Sequence, residues 1–439
     1  MSGLILALFA FGILVLFLAL RIPIGVAMTV VGMGGYVLVT NTDALLSILK
    51  NQMFYDFLNY DLSVIPLFLL MGQFASRAGI STALFCSANN WIGHKRGGIA
   101  MATVGGCAGF GSICGSSLAT AATMAQVALP ELRRHNYSGA LATGSLAAGG
   151  TLGILIPPSI VLVVCAIIVE ANVETLFQAA FIPGMLAVAG YIISIAIYVR
   201  LYPEAGPPGR RANWDEKIRG TVNIWPVLLI FFLVIGGIYF GWFTPTQAAS
   251  VGAISTGILA FTRGGLRLQG FIDSILGTAS STAMIFLIIF GASILKAFLG
   301  FTRLSFTLAD LITSAGMMPL LILLIMVFIL LVLGCVMDSL SMILLLIPIF
   351  WPVLSELDFG MDPEDTKVWF CIIALIVTEI GLITPPVGLN VFIINSMARD
   401  VPMLETFKGV APFLVTDTIR IALLITFPTI VLFLPRLLN

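Results

Sequence analysis

The chain has 439 residues, 59% of them hydrophobic and only 10% charged, with a mean hydropathy of +1.10. No soluble core hides that much apolar surface, so the composition predicts an all-α polytopic membrane protein. That apolar surface makes membrane lipid the surrounding partner, and the formal net charge of zero gives no hint of a nucleic-acid partner.

In chain order, the first apolar run, residues 3–20, has no basic residue before it and no cleavage site after it. It reads as a first membrane helix rather than a signal peptide. Further spans are predicted at 22–40, 62–76, 139–169 and 179–199, then at 223–242, 246–262, 274–300, 368–398 and 410–434. Two stretches, 99–130 and 317–357, are too long for one crossing and carry small and polar residues near their middles, as a re-entrant hairpin would. Between the halves lies a Pro-, Gly- and charge-rich segment, predicted as a soluble cytoplasmic linker at 201–220. The six cysteines (Cys86, Cys107, Cys114, Cys165, Cys335, Cys371) have neither CxxC nor zinc spacing and read as small apolar fillers.

The two halves repeat. Gly149-Gly150-Thr151-Leu152-Gly153-Ile154-Leu155-Ile156-Pro157-Pro158 matches Thr378-Glu379-Ile380-Gly381-Leu382-Ile383-Thr384-Pro385-Pro386 when Pro157 is laid on Pro385, and Gly106-Cys107 then falls on Gly334-Cys335. Pro23, Ala27 and Gly35 match Pro245, Ala249 and Gly257, and Glu131-Leu132 matches Glu356-Leu357. Glycines followed by a double proline break a helix. Breaks at corresponding places in two halves are the best sequence pointer to a carrier's binding site.

Charge sets an orientation. Lys95, Arg96, Arg133 and Arg134 flank the first hairpin and place its root in the cytoplasm by the positive-inside rule. Arg21, Arg77, Arg200, Arg210, Arg211, Lys217, Arg219, Arg263, Arg267, Arg399 and Lys408 then land inside, and Lys50, Arg303, Lys367 and Arg436 outside. The acidic stretch Glu356, Asp358, Asp362, Glu364 and Asp365 falls on the outer side, as do both termini. Five crossings and one hairpin per half make the second copy upside down. The expected organisation is a first inverted-topology repeat at 1–200 (scaffold helices 1–80, hairpin 98–130, broken helix 139–169). A second follows the linker at 221–439 (scaffold helices 223–300, hairpin 317–357, broken helix 368–398).

The chemistry should sit at the breaks and hairpin tips. The first tip reads Gly109-Phe110-Gly111-Ser112-Ile113-Cys114-Gly115-Ser116-Ser117, the second Gly334-Cys335-Val336-Met337-Asp338-Ser339-Leu340-Ser341. Glycines allow the reversal, a half-helix N-terminus offers N–H groups to an anion, and serine hydroxyls and free carbonyls are hard ligands for Na+. Asp338 is a carboxylate at bilayer depth. Glu379 could neutralise a cation, take a proton or cap N–H groups. Asp417 and Arg420, spaced i, i+3, should pair, and Lys296 should snorkel. Enzymatic readings fail. Gly115-Ser116-Ser117-Leu118-Ala119 only approaches the GxSxG elbow, while His94 and His135, the only histidines, sit among basic residues at the membrane edge.

Phe110-Gly111-Ser112-Ile113-Cys114-Gly115-Ser116-Ser117 followed by Thr151-Leu152-Gly153-Ile154-Leu155-Ile156-Pro157-Pro158-Ser159 resembles the large membrane subunit of TRAP (tripartite ATP-independent periplasmic) transporters, and the likeness covers essentially the whole chain. The resemblance implies a Na+-driven importer of an organic acid in a bacterial inner membrane, with no organic cofactor. It implies a periplasmic substrate-binding protein and a small four-helix membrane subunit, here a separate chain. It implies an elevator mechanism, with hairpins and broken helices moving against the outer helices. Two or more Na+ ions per cycle are expected. Their ligands would be Ser112, Ser116, Gly149, Thr151 and Gly153 at the first tip and break, and Gly334, Asp338, Thr378, Gly381 and Thr384 at the second. Ser116, Ser117, Pro157, Ser339 and Pro385 would meet the substrate, with sialic acid as the first choice of cargo and C4-dicarboxylate the second. The rivals are a stand-alone Na+/carboxylate symporter and a non-transporting scaffold or receptor subunit.

Overall fold

The structure, a computed structural model, describes residues 3–58, 60–302, 304, 307 and 318–438; Arg303 and Met317, invoked above, lie outside them. The first half runs α1 (Gly3–Ala19), α2 (Ile24–Val39), α3 (Thr42–Leu58), α4 (Val64–Arg77), α5 (Ile80–Ile92), α6 (Gly98–Cys114), α7 (Ser117–Arg134), α8 (Gly139–Leu155), α9 (Ile160–Val169) and α10 (Val173–Leu201). The second half opens with α11 (Trp214–Tyr239), which passes through a π-helical turn at Phe232–Gly236. It continues with α12 (Pro245–Thr262), α13 (Leu268–Thr302), α14 (Pro319–Gly334), α15 (Ser339–Leu354), α16 (Pro363–Gly381), α17 (Leu389–Met397), α18 (Met403–Thr426) and α19 (Thr429–Leu438). Among the described residues every longer element is helical. The protein is a multi-pass membrane protein: α10, α11, α13 and α18 are each long and apolar enough to span, and α8 with α9 forms a span bent by 46°.

Local signals set the helix starts. Ser138 caps α8 by accepting the Leu141 N–H at 3.3 Å, and Asn172 caps α10 through the Glu174 N–H at 2.7 Å. Thr244 and Gln247 form a capping box ahead of α12, with Pro245 in its first position. The interior is built around α8 and α16, whose residues 141–155 and 368–381 are all buried. Leu8, Phe9, Phe232 and Ile254 on the outer helices stay exposed, as side chains facing lipid do.

The two halves are interleaved. α2 packs along α13, and α12 packs along α4. A Cβ on Gly35 would press on the Phe298 ring at 2.7 Å, and one on Gly257 would meet the Phe74 ring at 3.2 Å. Gly35 and Gly257 are the pair that the sequence matched, and each receives a phenylalanine from the other half.

Several expectations change. Helices α3 and α5 were not foreseen, because Asp43, Lys50 and Asn51 interrupt the first and Ser81, Thr82, Ser87, Asn89 and Asn90 the second. The α5 axis turns 62° from the segment ending in α4 and leads into α6. The 201–220 segment is not a free linker. Its Ala205 and Gly206 carbonyls accept from Ser138 and Gly97, and its Gly209 N–H donates to Gly93 O, each at 2.9 Å. Its last residues belong to α11. The match of Gly106-Cys107 to Gly334-Cys335 is not structural: Gly106 faces Met124 in mid-helix, whereas Gly334 sits at the end of α14 against Gly381. Cys165 and Cys371 are not separate fillers but a disulfide joining α9 to α16.

Candidate functional site

Helices α6 and α7 form one hairpin, α14 and α15 the other. At the first tip Gly115 adopts φ +65°, a left-handed conformation suited to glycine, and Ser116 turns extended to cap α7 by accepting the Ala119 N–H at 3.4 Å. At the second tip Asp338 caps α15, accepting the Ser341 N–H at 3.1 Å and the Ser341 hydroxyl at 2.5 Å. Asp338 is therefore a helix cap, with part of its lone-pair capacity already engaged. Each outgoing helix then begins with a serine, Ser117 or Ser339.

Those two serines meet at one carboxylate. Ser117 Oγ donates to Glu379 Oε2 and Ser339 Oγ to Glu379 Oε1, both at 2.5 Å, and Glu379 is fully buried. Small residues make the convergence possible. A side chain on Gly111 would overlap Gly153, and one on Gly381 would overlap Gly334, so each hairpin is pressed backbone to backbone on its long helix. In the first half the contact runs through Gly153, where a Cβ would lie 2.8 Å from Ser116 O and 2.5 Å from Thr120 Oγ1.

The breaks are shorter than the sequence implied. Gly149, Thr151 and Gly153 all lie within α8, and the chain leaves the helix only at residues 156–159. Thr378 and Gly381 lie within α16, with the interruption at 382–388. The small residues continue the helix and serve packing, and the prolines alone interrupt it. Ser112 donates to Gly109 O at 2.9 Å, and Thr151, Thr378 and Thr384 donate at 2.7 Å to Ala148, Leu375 and Ile380 carbonyls. These hydroxyl protons are engaged within the helices while oxygen lone pairs remain. Pro157 and Pro385 each precede a cis peptide bond.

Between the tips lies a cavity of about 150 Å3. Ser116, Ser117, Asp338 and Ser339 line its polar end, and Ile160, Met284 and Ile285 are among its apolar walls. Pro157 and Pro385 do not line it; the first is buried behind the tip and the second is exposed at the other break. A larger cleft of about 730 Å3 opens elsewhere, beside Lys296 and Glu170, which pair at 3.5 Å, but none of the tip residues reaches it.

Polar groups that the sequence did not single out surround the tips. Asn390, just past the second break, crosses to the first half and donates through Nδ2 to Ala147 O at 3.2 Å. Among the described residues its Oδ1 and the Thr120 hydroxyl oxygen are buried without a partner; the Asn390 amide nitrogen lies beside Gly150 and the Thr120 hydroxyl beside Gly153. A lone polar residue directly after the Pro-Pro-Val-Gly-Leu break was the available signal for Asn390. Asp417 and Arg420 do pair: Arg420 Nη2 lies 2.8 Å from Asp417 Oδ1, both side chains buried, without the alignment of a hydrogen bond. Tyr191 donates to Asp417 Oδ2 at 2.7 Å and lies 3.1 Å from the Thr151 hydroxyl. Among the described residues Arg420 Nε and Nη1 have no hydrogen-bond partner. Nothing in the apolar run around Tyr191 marked it.

Residues 11–430 match the model of the family described as the tripartite ATP-independent periplasmic transporter, DctM component. The chain is 36% identical over 379 residues to the C4-dicarboxylate TRAP transporter large permease protein DctM of Pseudomonas aeruginosa, covering 86% of this chain and 87% of that one. It is 31% identical over 422 residues to the sialic acid TRAP transporter large permease protein SiaM of Vibrio cholerae, covering 94% and 95%. Among solved structures, the YdaH transporter of Alcanivorax borkumensis superposes with a TM-score of 0.64 at 15% identity, covering 88% of this chain and 89% of that one. That likeness concerns the fold.

Proposed function

Because the chain belongs to the DctM component family of the tripartite ATP-independent periplasmic transporters, we propose that it is the large membrane subunit of a Na+-coupled importer of an organic acid. It works in a bacterial inner membrane with a small membrane subunit and a periplasmic binding protein. The observation that carries this reading is the meeting of two capped hairpin tips at Glu379 beside a small cavity. Two helix N-termini aimed at one small space suit a carboxylate. Buried oxygens without partners, Thr120 Oγ1 and Asn390 Oδ1, together with the backbone oxygens of Ser116 and Ser117 nearby, suit Na+ as the co-transported ion.

The reciprocal Gly35–Phe298 and Gly257–Phe74 contacts and the paired Gly111–Gly153 and Gly334–Gly381 approaches support two inverted repeats. In that arrangement the hairpins and broken helices travel as one unit against α2, α4, α12 and α13, with α5 as a hinged arm. This is an elevator. For cargo we place C4-dicarboxylate ahead of sialic acid, reversing the order drawn from the sequence. The tip cavity of about 150 Å3 favours the smaller acid, since pockets for larger ligands run from roughly 300 Å3 upward.

Uptake into proteoliposomes by the large and small subunits, with and without the binding protein and a Na+ gradient, tests the reading. Transport should need both. Equal uptake without the binding protein would move the chain to the stand-alone symporters, and no uptake of any organic acid would leave a scaffold.

A further inference from the structure

We propose that Glu379 ties the two hairpin tips into one cooperative unit, so that a cation bound at one tip strengthens binding at the other. The proposal rests on the Na+-coupled reading above and names the residue through which the two sites communicate.

The carboxylate is divided between the halves. One oxygen accepts from Ser117 and the other from Ser339, each the first helical residue after its tip cap. The serines occupy equivalent places in two hairpins, so a single group reads both tips. Glu379 stands two residues before Gly381, whose contact with Gly334 fixes α16 against the second hairpin. It is fully buried, so no bulk water replaces a donor that withdraws. A shift of one serine leaves a buried carboxyl oxygen short of a partner, and the shift is resisted unless the carboxyl group and the other serine follow. A cation that orders one tip therefore leaves the second tip already ordered for the next cation.

The tie is braced from behind. Arg420 is within electrostatic reach of Glu379 and ion-paired to Asp417, and Asp417 continues through Tyr191 to Thr151 on α8. Two residues on, Gly153 touches the first tip at Ser116 and Thr120. The first tip is thus held from both ends of one buried polar chain, a contiguous network of the kind that carries coupling between sites.

The test is initial uptake against Na+ concentration in the reconstituted complex, for the parent, Ser117→Ala, Ser339→Ala, the double variant and Glu379→Ala. A series link is broken by one cut. Each serine variant should lower the Hill coefficient from about 2 toward about 1, and the double variant should lower it no further. Glu379→Ala should match them, and the serine variants decide the matter if it does not fold. Variants that keep the parent's Hill coefficient, serine effects that add in the double variant, or a parent coefficient of about 1 would each overturn the tie while leaving Na+-coupled transport intact. Parent uptake indifferent to Na+ would sink the proposed function instead.

Discussion

Gly381 lies so close to Gly334 that a Cβ built on it would come within 2.6 Å of the Gly334 carbonyl carbon. The obstruction is backbone, which cannot swing aside. Gly381→Ala must push the second hairpin off α16, and Gly153→Ala must displace Ser116 and Thr120 at the first tip. Overpacking of this kind costs about 1–3 kcal/mol. Both variants should unfold at lower temperature in detergent and lose uptake. Gly34→Ala, with nothing within 4 Å of its Cβ, should be neutral or slightly stabilising because alanine is the better helix former. Equal unfolding temperatures for all three would remove the close approach as a structural requirement.

Asp417 and Arg420 form a buried pair whose members are exposed by only 1% and 4% at their side chains. Removing one partner leaves the other charged and buried, at a cost of about 3–5 kcal/mol. Asp417→Ala should therefore destabilise strongly, and Asp417→Leu combined with Arg420→Met should recover most of the loss. The unfolding temperatures of the three proteins check this, and a single variant as stable as the parent would contradict it.

Much of this fold was readable in the chain. Double prolines, tip glycines and a long apolar pattern are local signals, and they mark where α6, α8, α14 and α16 end. The extent of each break was not local. Gly149-Gly150-Thr151-Leu152-Gly153 reads as loop-forming, yet α8 passes through it, because these small residues let Cys107, Ala121 and Thr120 close in on the helix. Tertiary packing overrode the low helix propensity of glycine. Asp338 was legible as a carboxylate at bilayer depth, but it is only half-buried and its partner Ser341 turned it into a cap. Tyr191 and the Cys165–Cys371 bond depend on helices far apart in sequence, and no spacing rule could pair them.

Asn390 and Thr120 supply the uncommitted oxygens beside the first tip. Asn390→Ala and Thr120→Val should each raise the Na+ concentration for half-maximal uptake by about tenfold, equivalent to about 1.4 kcal/mol. Unfolding temperatures close to the parent's would show that the loss lies in binding. Unchanged Na+ dependence in both variants would remove these oxygens from the cation site.

The orientation can be read by labelling single cysteines in a background without Cys86, which is exposed, whereas Cys107, Cys114 and Cys335 are buried. Arg133 forms an ion pair with Asp400, and Arg436 pairs with Asp365 at 2.5 Å, so each proposed face is internally consistent. A cysteine at position 133 should react from the cytoplasm and one at 362 from outside. Reaction of both from the same face would refute the inverted arrangement.

Docking of the binding protein should be guided by acidic charge on the outer face. Lys367 and Arg436 are engaged with Glu364 and Asp365. Among the described residues neither Glu356 nor Asp358 has an ion-pair partner, so the loop presents net negative charge. Exposed charges are screened beyond about 8 Å at physiological ionic strength. Uptake at limiting binding protein should therefore fall as an inert salt is added at fixed Na+, mainly through slower association. Glu356→Lys with Asp358→Lys should slow uptake at limiting binding protein and leave the saturated rate near the parent's, since both residues lie far from the tips in sequence and line no part of their cavity. Salt-insensitive uptake, or a reversed-charge variant with unchanged demand for binding protein, would exclude this loop as the docking face.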